Sequence, residues 1–271
     1  RIRTAPSSTA PDLRPALAIT MGDPAGVGPE IIVRTLQRPD LYRLCRPLIV
    51  GDARLLARTA RLLGLPLPPM RAGTGPGPPR LILDAVRLPP GFRTGRASAV
   101  GGRAAAKCIE AAANLALDGT VRGIVTCPIN KTALARAGLK DWGHTEILKK
   151  QAGAKRVAML FWSPRLSVVL HSIHLALAEA IKRVKERELL DTIRFVDGEW
   201  LRLFGARPRM AVAGLNPHAG EGGLMGREDA REIAPAIARA RRRGVAASGP
   251  WPPDTIFRRA AAGEFDLVLA M

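Results

Sequence analysis

Side chains with useful chemistry follow four apolar runs of the sequence, and each run has the length and composition of a buried β-strand. The residues after these runs include Asp23, the pair Asn130 and Lys131, His174 and His218, and several lie among glycines and prolines. In open α/β sheets, ligands bind beyond the carboxyl ends of the strands. We therefore predict that these segments line a ligand site.

Histidine is rare in this chain, which has four, and two of them follow predicted strands: His174 and His218. Neutral imidazoles from separate strand ends can bind one divalent metal ion. The alternative for each is an ordinary, partly buried histidine held by hydrogen bonds. Their place at strand ends, in segments with little side-chain bulk, favours metal ligands. His171 lies three residues before His174 in the same predicted strand and should face the other side of the sheet, so we predict a structural role for it.

A third candidate, His144, opens a helix-like segment directly after Gly143. A helix N-terminus favours an anion such as phosphate, and the glycine allows close approach to the backbone. Asn130 and Lys131 have two interpretations, which are binding of a carboxylate or phosphate, and a plain turn with a surface cation. Asp23 also has two interpretations, which are orientation of a ligand and capping of the helix that follows.

The glycine-rich segment at 21–30, MGDPAGVGPE, is a weak candidate for a dinucleotide site. It lacks the third glycine of the GxGxxG fingerprint. It fits better a loop whose backbone amides stay free near an anion. The sequence contains no Walker pattern, and no residue can be assigned to a nicotinamide cofactor, so that NAD and NADP are not distinguished.

Apolar runs and helix-like segments alternate along the chain, as in proteins with a largely parallel sheet covered by helices on both faces. Strands are predicted at 15–20, 46–51, 121–126, 166–173, 210–215 and 265–271. Helices are predicted at 31–37, 52–64, 98–119, 188–205 and 227–244, with Pro235 marking a kink in the last one. Residues 66–79 are predicted to form a loop, and residues 1–14 a disordered tail.

The composition limits the class of protein. The chain has 271 residues, of which 47% are hydrophobic, enough for one large α/β unit or two smaller ones. No apolar run is long enough to span a bilayer. The three cysteines form no CxxC pair, which indicates a reducing cytoplasm. The net charge of +19 comes largely from arginines scattered along the chain, so we favour compositional bias or attraction of an anionic substrate over nucleic-acid binding.

Five segments together resemble one known family in their order and spacing. They are ITMGDPAGVGPEI, TCPINKTAL, GHTEIL, GLNPHAGEGGLMGRED and GPWPPDTIF. They resemble the PdxA family of 4-hydroxythreonine-4-phosphate dehydrogenases, which act in pyridoxal phosphate biosynthesis. The resemblance covers residues 15–271, which we expect to be a catalytic region of two lobes with a boundary that the sequence does not fix.

The resemblance implies an α/β fold of two α/β/α lobes with an active-site cleft between them, like that of isocitrate and isopropylmalate dehydrogenases. It also implies a homodimer. The expected reaction is NAD- or NADP-dependent oxidation of the secondary hydroxyl of 4-phosphooxy-L-threonine, followed by decarboxylation. The partners it implies are a small phosphorylated hydroxy acid as substrate and a divalent metal ion, which would be zinc, magnesium or cobalt.

Four residues acquire roles through this resemblance. His144 and Thr145 match the substrate-binding His-Thr pair of the family, and His174 and His218 match two of its three metal-binding histidines. The third lies in a YHDQG segment that in the family follows the strand at 265–271. We therefore expect a longer protein that supplies this ligand, and weak metal binding and little turnover from residues 1–271 alone.

The segment HSIHLALAEA departs from the TTH-Leu-Pro-Leu pattern common in the hydroxythreonine enzymes. Together with GRASAVGGRAA it is closer to the paralogues that act on phosphorylated threonate or erythronate. A dehydrogenase of such a substrate, or of a dihydrodiol, is therefore the alternative. A basic nucleic-acid-binding protein is the alternative from another functional class.

Overall fold

The computed structural model describes residues 13–67, 82–140 and 143–271. The chain divides into two compact units, Arg1–Val157 (unit 1) and Ala158–Met271 (unit 2). The predicted tail at 1–14 lies outside the described residues except for its last two positions, and the predicted loop at 66–79 lies outside them from residue 68 onward.

Unit 1 contains a parallel four-stranded sheet, and its strands are β1 (Ala16–Thr20), β2 (Arg46–Gly51), β3 (Ile82–Asp84) and β4 (Gly123–Thr126). The strand order is β3-β2-β1-β4. The helices are α1 (Gly28–Thr35), α2 (Pro39–Leu44), α3 (Ala53–Leu63), α4 (Ala99–Leu117), α5 (Lys131–Arg136) and α6 (His144–Gln151).

The helices of unit 1 begin and end where the sequence provides caps. The Asp52 carboxylate accepts a hydrogen bond from the Leu55 nitrogen at 2.9 Å and starts α3, which ends at Gly64 with φ 63°. Ser98 caps α4 in the same way. Helices α4 and α5 pack so closely that a Cβ at Gly102 would lie 2.1 Å from the Ala133 carbonyl oxygen.

Unit 2 contains a five-stranded sheet, and its strands are β5 (Leu160–Trp162), β6 (Ser167–Leu170), β7 (Met210–Ala213), β8 (Ala247–Trp251) and β9 (Leu267–Ala270). The order is β5-β6-β9-β7-β8, and only β5 runs antiparallel to its neighbour. The helices are α7 (Leu177–Lys182), α8 (Glu186–Phe204), α9 (Ala234–Arg241) and α10 (Ile256–Ala261). Each unit buries its own apolar core around its sheet.

The helical hydrogen-bonding pattern changes just before Pro235, where a kink was predicted. A π-helical turn, Asp229–Ile233, precedes α9, and Pro235 occupies the first turn of that helix. Proline has no N–H to donate to the carbonyl four residues earlier, so the regular helical ladder cannot continue through this position. The segment therefore changes its hydrogen-bonding pattern, as π-helical turns do inside helices.

The α/β class and most of the predicted elements are confirmed. Six predicted strands match β1, β2, β4, β6, β7 and β9, although β6 is shorter than predicted. There are two sheets, one in each unit, as expected of the two α/β/α lobes that the resemblance implies. In the described part of the chain, no helix combines the length and the apolar composition that a membrane crossing needs.

Candidate functional site

The two predicted metal ligands lie in unit 2, shortly beyond the carboxyl ends of two strands. His174 follows β6 and His218 follows β7. Strand β9 lies between β6 and β7 and is parallel to both, so the two histidine segments leave the same edge of the sheet. Since neighbouring strands are about 4.8 Å apart, β6 and β7 are separated by roughly 10 Å. The topology therefore places both segments within reach of one ligand site.

Both histidines have a left-handed backbone conformation, with φ 55° at His174 and φ 51° at His218. Among the described residues, only Ala219 and Glu221 join them as non-glycine residues with positive φ. This conformation costs about 1–2 kcal/mol for a non-glycine residue. Backbone strain of this kind concentrates at functional sites, where the surrounding structure enforces it. In the described chain, this strain occurs at His174 and His218, the two predicted metal ligands, and in the turn that contains His218.

The turn around His218 is left-handed throughout. Residues 218–222, which we call the histidine turn, all have φ between 42° and 83°. The Ala219 nitrogen donates to the Asn216 carbonyl at 3.0 Å, and the Met225 nitrogen donates to the Gly220 carbonyl at 3.1 Å. Local hydrogen bonds thus connect the turn to the chain on both sides of it.

A buried carboxylate holds the start of the histidine turn. Asp229, only 2% exposed, accepts hydrogen bonds from the backbone nitrogens of Leu215 at 2.9 Å and Asn216 at 3.2 Å. It also accepts one from Asn216 Nδ2 at 2.8 Å, while Glu228 takes a second from the same amide at 2.9 Å. The amide of Asn216 lowers the pKa of the Glu228 carboxyl, since it stabilises the ionised form. The acids at the start of the π-helical turn therefore fix the segment before His218.

Two glycines allow this close packing. A Cβ at Gly214 would lie 2.6 Å from Asp229 Oδ1 and 3.0 Å from the Ala219 Cα. A Cβ at Gly226, where φ is 116°, would lie 2.6 Å from Asn216 Nδ2. The glycines of GLNPHAGEGGLMG thus serve close backbone approach and not only flexibility.

The ring of His218 is arranged as that of a metal ligand. Its Nδ1 lies 2.9 Å from Oε2 of Glu221, and both side chains are more than half exposed. An ionised carboxylate only accepts hydrogen bonds, so Nδ1 carries the hydrogen and a neutral ring keeps a lone pair on Nε2. Metal-bound histidines commonly donate their second ring N–H to a carboxylate in this way. His218 therefore fits a divalent cation, with Nε2 as the ligand atom.

The chain provides two histidines for such a cation rather than a complete set of ligands. His174 is exposed, like His218, on the same sheet edge. Within the ranges that the structure describes, no cluster of three or more histidine, cysteine or acidic side chains is arranged to hold a metal ion. A protein site for a catalytic zinc ion usually has three ligands and an open position. The residues therefore fit a divalent metal as a partial ligand set.

His171 has a structural environment, but its predicted place on the opposite face of the strand from His174 is wrong. Strand β6 ends at Leu170, so His171 and His174 both lie beyond the strand, and their spacing does not separate them by sheet face. The ring of His171 instead bridges Thr192 Oγ1, at 3.1 Å from Nδ1, and the Arg183 carbonyl oxygen, at 2.9 Å from Nε2. Burial lowers its pKa. Both ring nitrogens have protein partners, as expected of a structural histidine.

The predicted substrate-binding pair lies in unit 1. His144 and Thr145 are the first two residues of α6, and Gly143 is its N-cap. His144 Nε2 lies 3.2 Å from the Cys127 carbonyl oxygen, which can only accept, so Nε2 carries the hydrogen and the neutral ring can accept at Nδ1. Burial lowers the pKa of His144, against the raising effects of the Cys127 carbonyl and of Glu146. His144 and Thr145 therefore lie in the first turn of α6, with Nε2 of His144 bound to the Cys127 carbonyl.

Two further candidates in unit 1 have local roles. Asn130 caps α5, because its side-chain oxygen accepts from the Ala133 nitrogen at 3.0 Å. Asp23 is buried, and its carboxylate accepts from the Ala25 nitrogen at 2.9 Å. The predicted helix cap at Asp23 is wrong, because the N-cap of α1 is Val27 and the Asp23 carboxylate instead closes the turn before that helix. The plain turn expected at Asn130 is a helix cap, and ligand binding at Asp23, Asn130 and Lys131 stays a prediction.

The sequence did not identify Asp229, Asn216 and Glu221 as residues that support His218. Glu221 lies in the quoted NPHAGE segment, three residues after His218. Its proximity depends on a left-handed turn that residue types alone do not indicate. Asp229 was part of a predicted helix start, and only the tertiary structure shows that its carboxylate turns back to the strand end. The cluster of glycines was the one available signal, because it indicates close backbone approach.

The chain is similar in sequence and in fold to known proteins. A model of the family described as "Pyridoxal phosphate biosynthetic protein PdxA" matches residues 43–271. A 4-hydroxythreonine-4-phosphate dehydrogenase of Beijerinckia indica is 46% identical over 94% of this chain and 76% of that protein. A D-threonate 4-phosphate dehydrogenase of Cupriavidus necator is 41% identical over 96% of this chain and 80% of that protein. The crystal structure of 4-hydroxythreonine-4-phosphate dehydrogenase from Klebsiella pneumoniae matches with a TM-score of 0.87 and 38% identity, over 96% of this chain and 81% of that chain. These similarities extend over nearly the whole chain, and with the family match they show that it belongs to the PdxA family.

Proposed function

We propose that the protein that carries this chain oxidises the secondary hydroxyl of 4-phosphooxy-L-threonine in pyridoxal phosphate biosynthesis, with loss of carbon dioxide from the product. The observation that carries the proposal is the similarity, over nearly the whole chain, to relatives named for this activity. The arrangement of His218 and Glu221 supports it, because a hydroxyl is oxidised more easily when a bound cation stabilises the charge on its oxygen.

His174 and His218 would hold the divalent cation, for which zinc, magnesium and cobalt are the candidates. The cation would supply Lewis-acid stabilisation of negative charge on the substrate oxygen. A nicotinamide cofactor, NAD or NADP, would accept the hydride. In this proposal, Glu221 keeps the Nδ1 hydrogen of His218 in place, and the Asp229 carboxylate keeps the histidine turn in its left-handed form.

His144 and Thr145 would bind the substrate. The neutral ring of His144 presents Nδ1 as an acceptor, since its Nε2 hydrogen is used by Cys127. A hydroxyl or ammonium group of the substrate is a suitable donor to this atom. The backbone N–H groups at the N-terminus of α6 favour an anionic group of the substrate. We also propose that the protein acts as a homodimer, as the family resemblance implies, and that it lies in the cytoplasm, as the cysteine pattern indicates.

A second substrate, D-threonate 4-phosphate, deserves the same test because a relative named for it is 41% identical. The two compounds differ at C2, where one has an ammonium group and the other a hydroxyl. Both keep the secondary hydroxyl and the phosphate, so the chemistry proposed for the histidines is the same. The choice depends on the contacts made to C2.

The test is turnover by the protein that carries this chain, with NAD or NADP, each candidate metal ion and each of the two substrates. Reduction of the nicotinamide is followed by absorbance. We expect turnover with one of the two phosphorylated substrates, dependent on the metal ion. Absence of turnover with 4-phosphooxy-L-threonine under every combination would overturn the proposed function, and turnover with D-threonate 4-phosphate alone would establish the second substrate.

A further inference from the structure

The contact between His218 and Glu221 determines which ring nitrogen of His218 is available. Nδ1 lies 2.9 Å from Oε2 of Glu221. Because the carboxylate can only accept, this contact requires a hydrogen on Nδ1. In a neutral imidazole, Nε2 is then the unprotonated atom, and the nitrogen that binds a metal is set by the hydrogen bond that the other one makes.

The left-handed turn is what brings the carboxylate to the ring. Helical turns of about three residues place side chains i and i+3 one above the other, and residues 218–222 form such a turn with reversed hand. Three of these residues, His218, Ala219 and Glu221, are not glycine and have φ values of 51°, 54° and 42°. A conformation that costs about 1–2 kcal/mol for each such residue needs a compensating anchor, and the buried carboxylate of Asp229 provides one.

We propose that Glu221 is a positioning residue for His218, which holds the ring in the tautomer with hydrogen on Nδ1 and thereby directs the lone pair of Nε2 to the metal ion. The inference rests on the proposed metal-dependent function. The contact that the structure shows for Glu221 is with the ring, through Oε2 at 2.9 Å from Nδ1 of His218. Its effect on the reaction therefore passes through His218.

The alternative is an ordinary surface contact. Glu221 and His218 are 53% and 56% exposed, and exposed pairs contribute little to stability. In that case water would replace the carboxylate without consequence for the ring. The two interpretations differ in the tautomer of His218, which can be measured without metal, substrate or cofactor.

The experiment records long-range proton–nitrogen NMR spectra of the histidine rings in the metal-free protein at a pH where the rings are neutral. With four histidines in residues 1–271, the spectrum is simple, and the signals missing from His218→Gln identify the ring of interest. We expect the Nδ1–H form to predominate in the unaltered protein. We expect Glu221→Ala to shift the ring to the Nε2–H form, and Glu221→Gln, which keeps an acceptor oxygen, to restore part of the original population.

Cobalt(II) affinity is measured on the same variants. Removal of the group that orients a ligand costs about 10–100-fold in metal affinity, so we expect a loss in this range for Glu221→Ala and a smaller loss for Glu221→Gln. Glu199→Ala is the matched control, because Glu199 pairs with Arg202 at the same i,i+3 spacing on α8. It should change neither the tautomer of His218 nor the affinity.

Two results would overturn the inference: a His218 tautomer that Glu221→Ala leaves unchanged, or an equal loss of affinity in Glu199→Ala. These outcomes are distinct from failure of the proposed function. An unaltered protein that binds no metal ion and oxidises no substrate would contradict the proposed function, whatever the ring spectra show. A protein that is active, with a tautomer independent of Glu221, would contradict only the inference.

Discussion

Asn216 and Asp229 face each other at the base of the histidine turn. One carboxylate oxygen of Asp229 accepts from the backbone nitrogen of Asn216 at 3.2 Å and from its side-chain nitrogen at 2.8 Å, and the other accepts from Leu215 at 2.9 Å. Asp229 is 2% exposed, so these donors replace the water that an ionised carboxylate would otherwise bind. The segment that leads to His218 is thus held by a buried charge and oriented N–H groups.

Asp229→Asn should destabilise the protein and weaken metal binding. The new amide replaces one acceptor oxygen with a donor that faces backbone N–H groups, and a buried unsatisfied group costs about 1–3 kcal/mol. Denaturant unfolding measures the free energy, and calorimetric titration with zinc measures the affinity. The matched control is Asp40→Asn, at an exposed carboxylate paired with Arg38, and it should leave both quantities near their original values. An unchanged zinc affinity in Asp229→Asn would show that the anchor does not act on His218.

Gly214→Ala and Gly198→Ala should change stability in opposite directions. A Cβ at Gly214 would lie 2.6 Å from Asp229 Oδ1, and forced overpacking of this kind costs about 1–3 kcal/mol. Gly198 lies inside α8 with nothing within 4 Å of the added Cβ, so alanine there should stabilise by about 0.5–1 kcal/mol. Thermal and denaturant unfolding of the two variants check this. Equal effects would contradict the tight packing described for the histidine turn.

The stability of the protein should fall as the pH drops below about 6.5, the ordinary pKa of histidine. Burial lowers the pKa of His144 and of His171, so the unfolded chain binds protons at a pH where the folded chain does not. By linkage, stability is then greatest above the unfolded pKa and declines toward the lower folded pKa. Unfolding free energies between pH 7.5 and about 5 measure the slope. His171→Gln should make it shallower, and an unchanged slope would show that His171 does not contribute.

Much of the fold follows from local patterns in the sequence. The strands β1, β2, β7 and β9 are continuous apolar runs, and α3 has both an acidic N-cap at Asp52 and a glycine C-cap at Gly64. The strands that were missed are short or interrupted: β3 and β5 have three residues each, and β8 contains a Gly-Pro pair. Such segments have too few residues for a period to be visible, and their pairing is decided by neighbours in space.

The positions of the candidate site residues could be predicted where they follow strands. They could not be predicted where they depend on tertiary contacts. The positions of His174 and His218 beyond strand ends follow from the apolar runs before them, and their role as metal ligands stays a prediction. The contact of Asp229 with Leu215 spans 14 positions of the chain, and the contact of His171 with Thr192 spans 21. No local pattern indicates either. The expected cleft between two lobes, the homodimer and the roles of His144 and Thr145 stay predictions.

The most direct test of the whole account is calorimetric titration of zinc or cobalt into the protein and into two variants, His174→Ala and His218→Ala. Even the loss of a residue that supports a metal ligand costs about 10–100-fold in affinity, so each variant should lose at least about 10-fold, with its fold intact by circular dichroism. Metal-dependent turnover should fall with the affinity. If both variants bind the ion as tightly as the unaltered protein, these histidines do not form the metal site and the account is wrong.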